Sequence, residues 1–202
     1  MSARDYLCGQ VVREARTRFG IRDRSYLEEV VDTWMDDSRD PHRRLDVISS
    51  FLPSARKILD MASGCGTCVF YGLKNGYDMY GVDPEEWKTT FVALKVSELG
   101  YPNEWVSRFS RAVGENLPFP DSAFDCVTTH QTLEHVQDVP EAIGEMIRVT
   151  KPGGGMHIHC PDYRSTFEGH YRLPWLPLLP KPLARIYLRA LGRPTAGLLG
   201  IQ

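Results

Sequence analysis

The sequence predicts an α/β fold in which a mainly parallel sheet carries helices on both faces. Three observations predict it. From Lys57 onward, short apolar runs alternate with helical segments, as parallel strands with crossover helices require. The first run leads into a glycine-rich stretch, Asp60-Met61-Ala62-Ser63-Gly64-Cys65-Gly66-Thr67, where a strand would turn into a helix. The second run ends on Gly81-Val82-Asp83, which sets a carboxylate beside that turn.

The 202 residues suit one domain with some decoration. Residues 1–54 read as a helical lead-in, with helical stretches at Ser25 to Met35 and Pro41 to Phe51. Pro41 supplies an N1 position after Asp40, and Leu45, Val47, Ile48 and Phe51 offer a buried stripe. Residues 55–162 hold the α/β core. Its strands are expected at 57–62, 78–83, more weakly around Trp105 to Val113, then at 124–130 and 155–161. A helix from Glu85 to Leu99 stops at Gly100. Another, Pro140 to Val149, carries Ala142, Ile143, Met146, Ile147 and Val149 on one side and halts at a Lys151-Pro152-Gly153-Gly154 turn. Residues 163–202 form a tail or substrate lid, extended through the proline-rich Leu173 to Pro182 and helical from Leu183. There Lys181, Arg185 and Arg189 recur at i, i+4 and i+8, while Leu183, Ile186, Tyr187 and Ala190 gather away from them. Such a helix either packs on the domain with a solvated basic stripe or lies on a membrane surface.

A net charge of −2 gives no basic surface for nucleic acid. An odd set of five cysteines, no leader and no uncharged apolar run of about 18 residues point to a reducing cytoplasm. Cys65 and Cys68 have C-x-x-C spacing, but no second pair accompanies them, so no metal is expected. His157 and His159 share one strand face and read as satisfied or helix-covered, with Cys160 beside them.

A glycine turn brings backbone N–H groups close to a ligand, although two glycines also suit a ligand-free turn. Val69 replaces the third glycine of a dinucleotide fingerprint, which argues against a nicotinamide oxidoreductase, and no Gly-Lys-Ser/Thr is present to cradle a triphosphate. Asp83 can accept two hydrogen bonds from a ribose diol. A nucleoside without phosphates fits this pattern.

Five ordered segments resemble the successive motifs of class I S-adenosylmethionine-dependent methyltransferases, and more narrowly their small-molecule "type 11" branch. They are ILDMASGCGT at 58–67, YGVDPE at 80–85, ENLPFPDSAFDCV at 115–127, TLEHVQDV at 132–139 and VTKPGG at 149–154. The resemblance implies a Rossmann-like sheet of seven strands, six of them parallel, with S-adenosylmethionine across the strand tips. Nothing after Asp162 resembles the last two strands, so these are expected to be missing or truncated.

Carried over by residue, the resemblance puts Asp60, Ala62, Ser63, Gly64 and Gly66 under the methionine part and ribose. Asp83, followed by Pro84, holds the ribose, Gly114 and Glu115 lie at the adenine edge, and His130 with Gln131 stands beside the transferable methyl. Ala62 replaces the family's first motif glycine, Cys68 its usual small residue, and Val113 its acidic adenine contact. The implied acceptor is a small molecule, sugar or lipid-linked precursor. The alternative is a non-catalytic S-adenosylmethionine-binding or partner-binding protein on the same scaffold.

A hydroxyl acceptor benefits from a base, and His130 is the first candidate because it ends a strand beside the cleft. His135, Asp162, Tyr163 and His170 follow it. His135 reads more naturally as a positioning residue, and Asp162 and Tyr163 as capping or packing groups.

Overall fold

The computed structural model describes residues 1–40, 43–162 and 164–200, with side chains described through Leu198. Pro41 and Tyr163, both singled out above, lie outside the described residues. The lead-in contains one helix more than expected. Helix α1 (Ala3–Glu14) runs into a π-helical turn at Ala15–Phe19, and Gly20, at φ 68°, ends it. Helix α2 (Arg24–Met35) starts at Asp23, whose carboxylate accepts from the Tyr26 N–H. Leu7 and Val11 of α1 pack with Leu27 and Val31 of α2 against Phe91 and Cys65, so this pair covers the glycine turn.

Helix α3 spans Arg44–Phe51. Leu45 and Ile48 are buried as expected, but Val47 and Phe51 are exposed, a correction to the predicted stripe. The stripe follows the 3.6-residue period only on the Leu45/Ile48 side, while Phe51 lays one edge on the bare backbone of Gly155.

The core follows as β1 (Lys57–Met61), α4 (Thr67–Lys74), β2 (Asp78–Val82), α5 (Glu86–Leu99), β3 (Phe109–Ser110), β4 (Phe124–His130), α6 (Val139–Val149) and β5 (Thr150–His159). All sheet pairings are parallel, in the order β3-β2-β1-β4-β5. One face packs Ile58 and Met79 against Leu45, Ile48 and Val69, and the other packs Leu59 and Val127 against Met146 and Val149. Burial on both faces explains why these strands read as continuous apolar runs.

Two details of α6 and β5 differ from expectation. Ile147 on α6 is exposed, while Ala142, Met146 and Val149 form the buried line. Lys151 to Gly154 does not form a turn ahead of the strand but belongs to β5, whose register against β4 shifts between Phe124 and Cys126. Glycine makes this bulge possible: Gly153 sits at φ 78°, and a Cβ on Gly154 would lie 2.6 Å from the Asp125 carbonyl. Asp125 pins the opposite side by accepting from the Arg56 and Lys57 N–H groups and from Lys151 Nζ.

The sheet holds five strands among the described residues, and the next two pair only with each other. They are β6 (Phe167–Glu168) and β7 (Leu173–Pro174), an antiparallel hairpin followed by α7 (Lys181–Ala190). Tyr171, Ala184, Leu188 and Leu198 pack around Phe19, and Arg193 Nη1 donates to the Gly20 carbonyl at 2.6 Å. The tail is therefore docked on the lead-in. Its buried line is Ala184 and Leu188, whereas Leu183 and Ile186, expected to gather on a packed face, are exposed.

Candidate functional site

In an open parallel sheet, the crevice lies where strand order reverses, beyond the carboxyl ends of the strands on either side. Here the reversal falls between β1 and β4. It brings the turn after β1 next to His130 and Gln131 after β4, and Thr129 Oγ1 joins the two tips by donating to the Met61 carbonyl at 2.9 Å.

The turn alternates its backbone hand, with Ala62 at φ 62°, Gly64 at 57° and Gly66 at 79°. Ala62 thus keeps the left-handed path of the glycine it replaces. Gly66 must lack a side chain, because a Cβ there would lie 2.7 Å from the Phe109 ring. Around Gly64 a Cβ would meet nothing within 4 Å, so the turn is open at its middle.

Asp83 closes onto this turn. Its Oδ2 accepts from the Gly64 N–H at 3.0 Å and from Lys88 Nζ at 3.1 Å, and its Oδ1 accepts from the Glu85 N–H at 3.0 Å. Burial opposes the Lys88 charge, but Asp83 and Glu85 outweigh it and raise the Lys88 pKa. Asp60 lies deeper and is fully buried. Its Oδ1 accepts from Arg44 Nη1 at 2.7 Å, and its Oδ2 has no hydrogen-bond partner. Burial lifts the Asp60 pKa to about 6 against the pull of Arg44, because one guanidinium serves both Asp60 and Asp40. Arg44 itself is held firmly charged by those carboxylates despite its burial.

The remaining predicted residues divide. His130 stacks on His159 with centroids 4.3 Å apart and planes 5° from parallel, and Gln131 adopts φ 54° immediately after it. His157 Nδ1 is 3.0 Å from Thr128 Oγ1 and the exposed His159 has its Nδ1 3.4 Å from Gln131 Nε2, so both are satisfied as expected rather than covered. Glu115 is engaged at Oε1 by the Gln137 and Asp138 N–H groups and so ties the loop before α6. Gly114 lies against Met61, whose Sδ is 3.2 Å from where a Cβ would sit. Pro84 directs its carbonyl to Arg111 Nε, and Val113 is exposed. Asp162 pairs with Arg164, a local turn contact. Burial pushes the Cys65 thiol to about 12 and Cys68 well above its usual range, so neither is a reactive thiolate.

Sequence reasoning missed Arg44 and Lys88, the two cations of the site. Lys88 had a signal, five residues after Asp83 on the first turn of a predicted helix. Arg44 had none, since its pairing with Asp60 depends on how α3 packs under β1.

This arrangement defines an α/β domain whose switch point brings together a glycine turn and the carboxylates of Asp60 and Asp83. Residues 59–158 match the family model described as a methyltransferase domain. The chain is 34% identical over 157 residues to demethylmenaquinone methyltransferase of Paenarthrobacter aurescens, covering 72% of this chain and 58% of that protein. It is 40% identical over 113 residues to norajmaline N-methyltransferase of Rauvolfia serpentina, covering 54% and 37% respectively. A solved S-adenosylmethionine-dependent methyltransferase from Aquifex aeolicus superposes with a TM-score of 0.53 at 20% identity, covering 85% of this chain and 89% of that one. The chain belongs to the class I S-adenosylmethionine-dependent methyltransferases. It spans about half the length of the curated relatives it matches.

Family membership implies S-adenosylmethionine as cofactor, and the residues present fit it. A Cβ at Gly64 would meet nothing within 4 Å, so ligand atoms can approach the turn backbone there, and the Asp83 carboxylate lies against it. The unpartnered Asp60 Oδ2 and the excess of carboxylates suit a ligand bearing a sulfonium and an ammonium, and would repel a polyphosphate.

Proposed function

We propose that this chain is an S-adenosylmethionine-dependent methyltransferase acting on a small molecule, sugar or lipid-linked acceptor. The observation that carries the reading is the Asp60 to Gly66 turn with the Asp83 carboxylate folded against Gly64 at the switch point of the sheet. The cofactor, when bound, supplies an electrophilic methyl that a nucleophile displaces in line. The protein's part is then alignment and exclusion of water. Asp83 takes the ribose diol, exchanging its Lys88 and Gly64 hydrogen bonds for ribose ones. Asp60, Ala62, Ser63, Gly64 and Gly66 cradle the methionine end, Gly114 and Glu115 border the adenine, and His130 with Gln131 faces the methyl. For a hydroxyl acceptor, His130 accepts the proton at a ring nitrogen, its plane fixed by the stack on His159.

We assign residues 1–54 and the tail to the walls of the acceptor side. Exposed Leu176, Leu178, Leu183 and Ile186 beside Lys181, Arg185 and Arg189 support an acceptor met at a membrane surface. No helix among the described residues is long and apolar enough to cross a membrane. Native mass spectrometry of the purified protein, followed by transfer from methyl-labelled donor to a panel of phenols, amines, sugars and prenylated rings, tests the reading. The expected result is a bound adenosine-type mass and label in one acceptor class. A protein that neither carries nor takes up the donor contradicts it.

A further inference from the structure

The loop leaving β4 holds a group that the methyl-transfer chemistry does not use. Glu134 is only 1% exposed, yet neither of its carboxylate oxygens has a hydrogen-bond partner. A buried carboxylate without donors is costly unless something else neutralises it. His135 places Nε2 at 3.9 Å from Glu134 Oε1 and is 38% exposed at its side chain. The tail supplies a third group. His170, in the turn between β6 and β7, stands edge-to-face with His135 at 5.2 Å.

We infer that Glu134, His135 and His170 form a divalent-cation site on the acceptor side of the cleft. One ligand atom from each lies within 4.8 Å of the others. Three atoms so spaced share a point no more than about 2.8 Å from each, so closing to zinc-like distances of about 2.0–2.2 Å needs only side-chain adjustment. Two imidazoles and one carboxylate are the donor set of a zinc, manganese or iron(II) site with open positions. The support is also in place: His170 Nδ1 is 2.7 Å from Glu168 Oε1, which leaves Nε2 to coordinate, and Glu168 Oε2 is held by the Tyr171 N–H at 2.6 Å. A carboxylate behind a ligating histidine is the usual way its ring is oriented. Because His170 belongs to the tail, a bound cation would also fasten the tail to the loop after β4.

This deepens the proposed function and rests on it in one respect. An acceptor oxygen, from a hydroxyl or enol, would take an open position on the cation, release its proton to the ring nitrogen of His130, and approach the methyl as the deprotonated, more nucleophilic species. The site's existence is separable from that role.

The test uses the full chain, stripped with chelator and titrated with Mn2+ and with Zn2+, read by calorimetry and thermal shift. The account expects one saturable cation per chain, an upward shift in melting temperature, and affinity weakened at least about tenfold by Glu134→Gln, His170→Ala and Glu168→Gln. Circular dichroism of the near-isosteric Glu134→Gln and Glu168→Gln variants verifies that they fold. No saturable binding of either cation to the wild type, or binding equally tight in the folded variants, overturns the site. S-adenosylmethionine affinity measured on the same stripped samples separates the two readings: a wild type that binds the donor but neither cation overturns only the cation site, whereas donor binding absent throughout overturns the methyltransferase reading.

Discussion

Arg44 is the group whose removal the structure constrains most tightly. In Arg44→Met the side chain keeps its bulk but loses the guanidinium, leaving the fully buried Asp60 and the nearly buried Asp40 without the cation they share. Breaking one side of a buried ion pair costs about 3–5 kcal/mol. At about 2–4 °C per kcal/mol for a domain of this size, the melting temperature should fall by about 6–20 °C. The loss must depend on pH. Asp60 already has its pKa raised from 3.8 to about 6, so its contribution to stability is fully present below the lower value and is lost as pH rises through the higher one. Without Arg44 the folded-state value climbs further, and the variant should be penalised more at about pH 8 than at about pH 5. Adding Asp60→Asn should recover part of the deficit by removing the stranded charge. Scanning calorimetry of the wild type, both single variants and the double variant closes the cycle. A drop below about 2 °C in Arg44→Met, equal at both pH values, would refute the claim that one guanidinium neutralises the floor of the turn.

Further outcomes follow from other parts of the molecule. Ala62→Gly should stabilise the chain by up to about 1 kcal/mol, since it relieves a left-handed alanine at φ 62° at some entropic cost, and thermal unfolding reads it directly. Burial pushes the Asp125 pKa up, but Lys151 and the Lys57 and Arg56 N–H groups bring it to about 2 from 3.8; Asp125→Asn should therefore remove stability that the wild type has above the ordinary value and loses as pH falls through the depressed one. Co-sedimentation with vesicles should detect binding to anionic but not to neutral bilayers, abolished by Leu183→Ser with Ile186→Ser and weakened by salt; equal binding to both vesicle types would remove the membrane from the account.

How much of this was readable beforehand depends on whether the physics is local. Strand β4 at Phe124–His130 and helix α5 with its Gly100 stop were legible because a short apolar run and a left-handed glycine act within a few positions. Lys151 to Gly154 was misread because Pro-Gly-Gly signals a turn equally well whether the chain reverses or bulges within a strand, and only pairing with Asp125 decides between them. Helix α1 was overlooked because its buried residues, Ala3, Leu7 and Val11, are separated by polar ones and gain their meaning from α2 and α5. In the site, Asp60 and Asp83 stood out by their offset from the glycines. Arg44, and the meeting of Glu134 and His135 with His170, join residues far apart in sequence, and no spacing rule reaches that far.

The most direct measurement is calorimetric titration of the wild type and Asp83→Ala with S-adenosylmethionine and with its demethylated product. The account predicts binding of one molecule of either ligand to the wild type. It also predicts a loss of about 10- to 100-fold for both ligands in the variant, the worth of the ribose contacts less the Gly64 and Lys88 bonds they replace. Unchanged affinity in Asp83→Ala, or heat from neither ligand in the wild type, would contradict it.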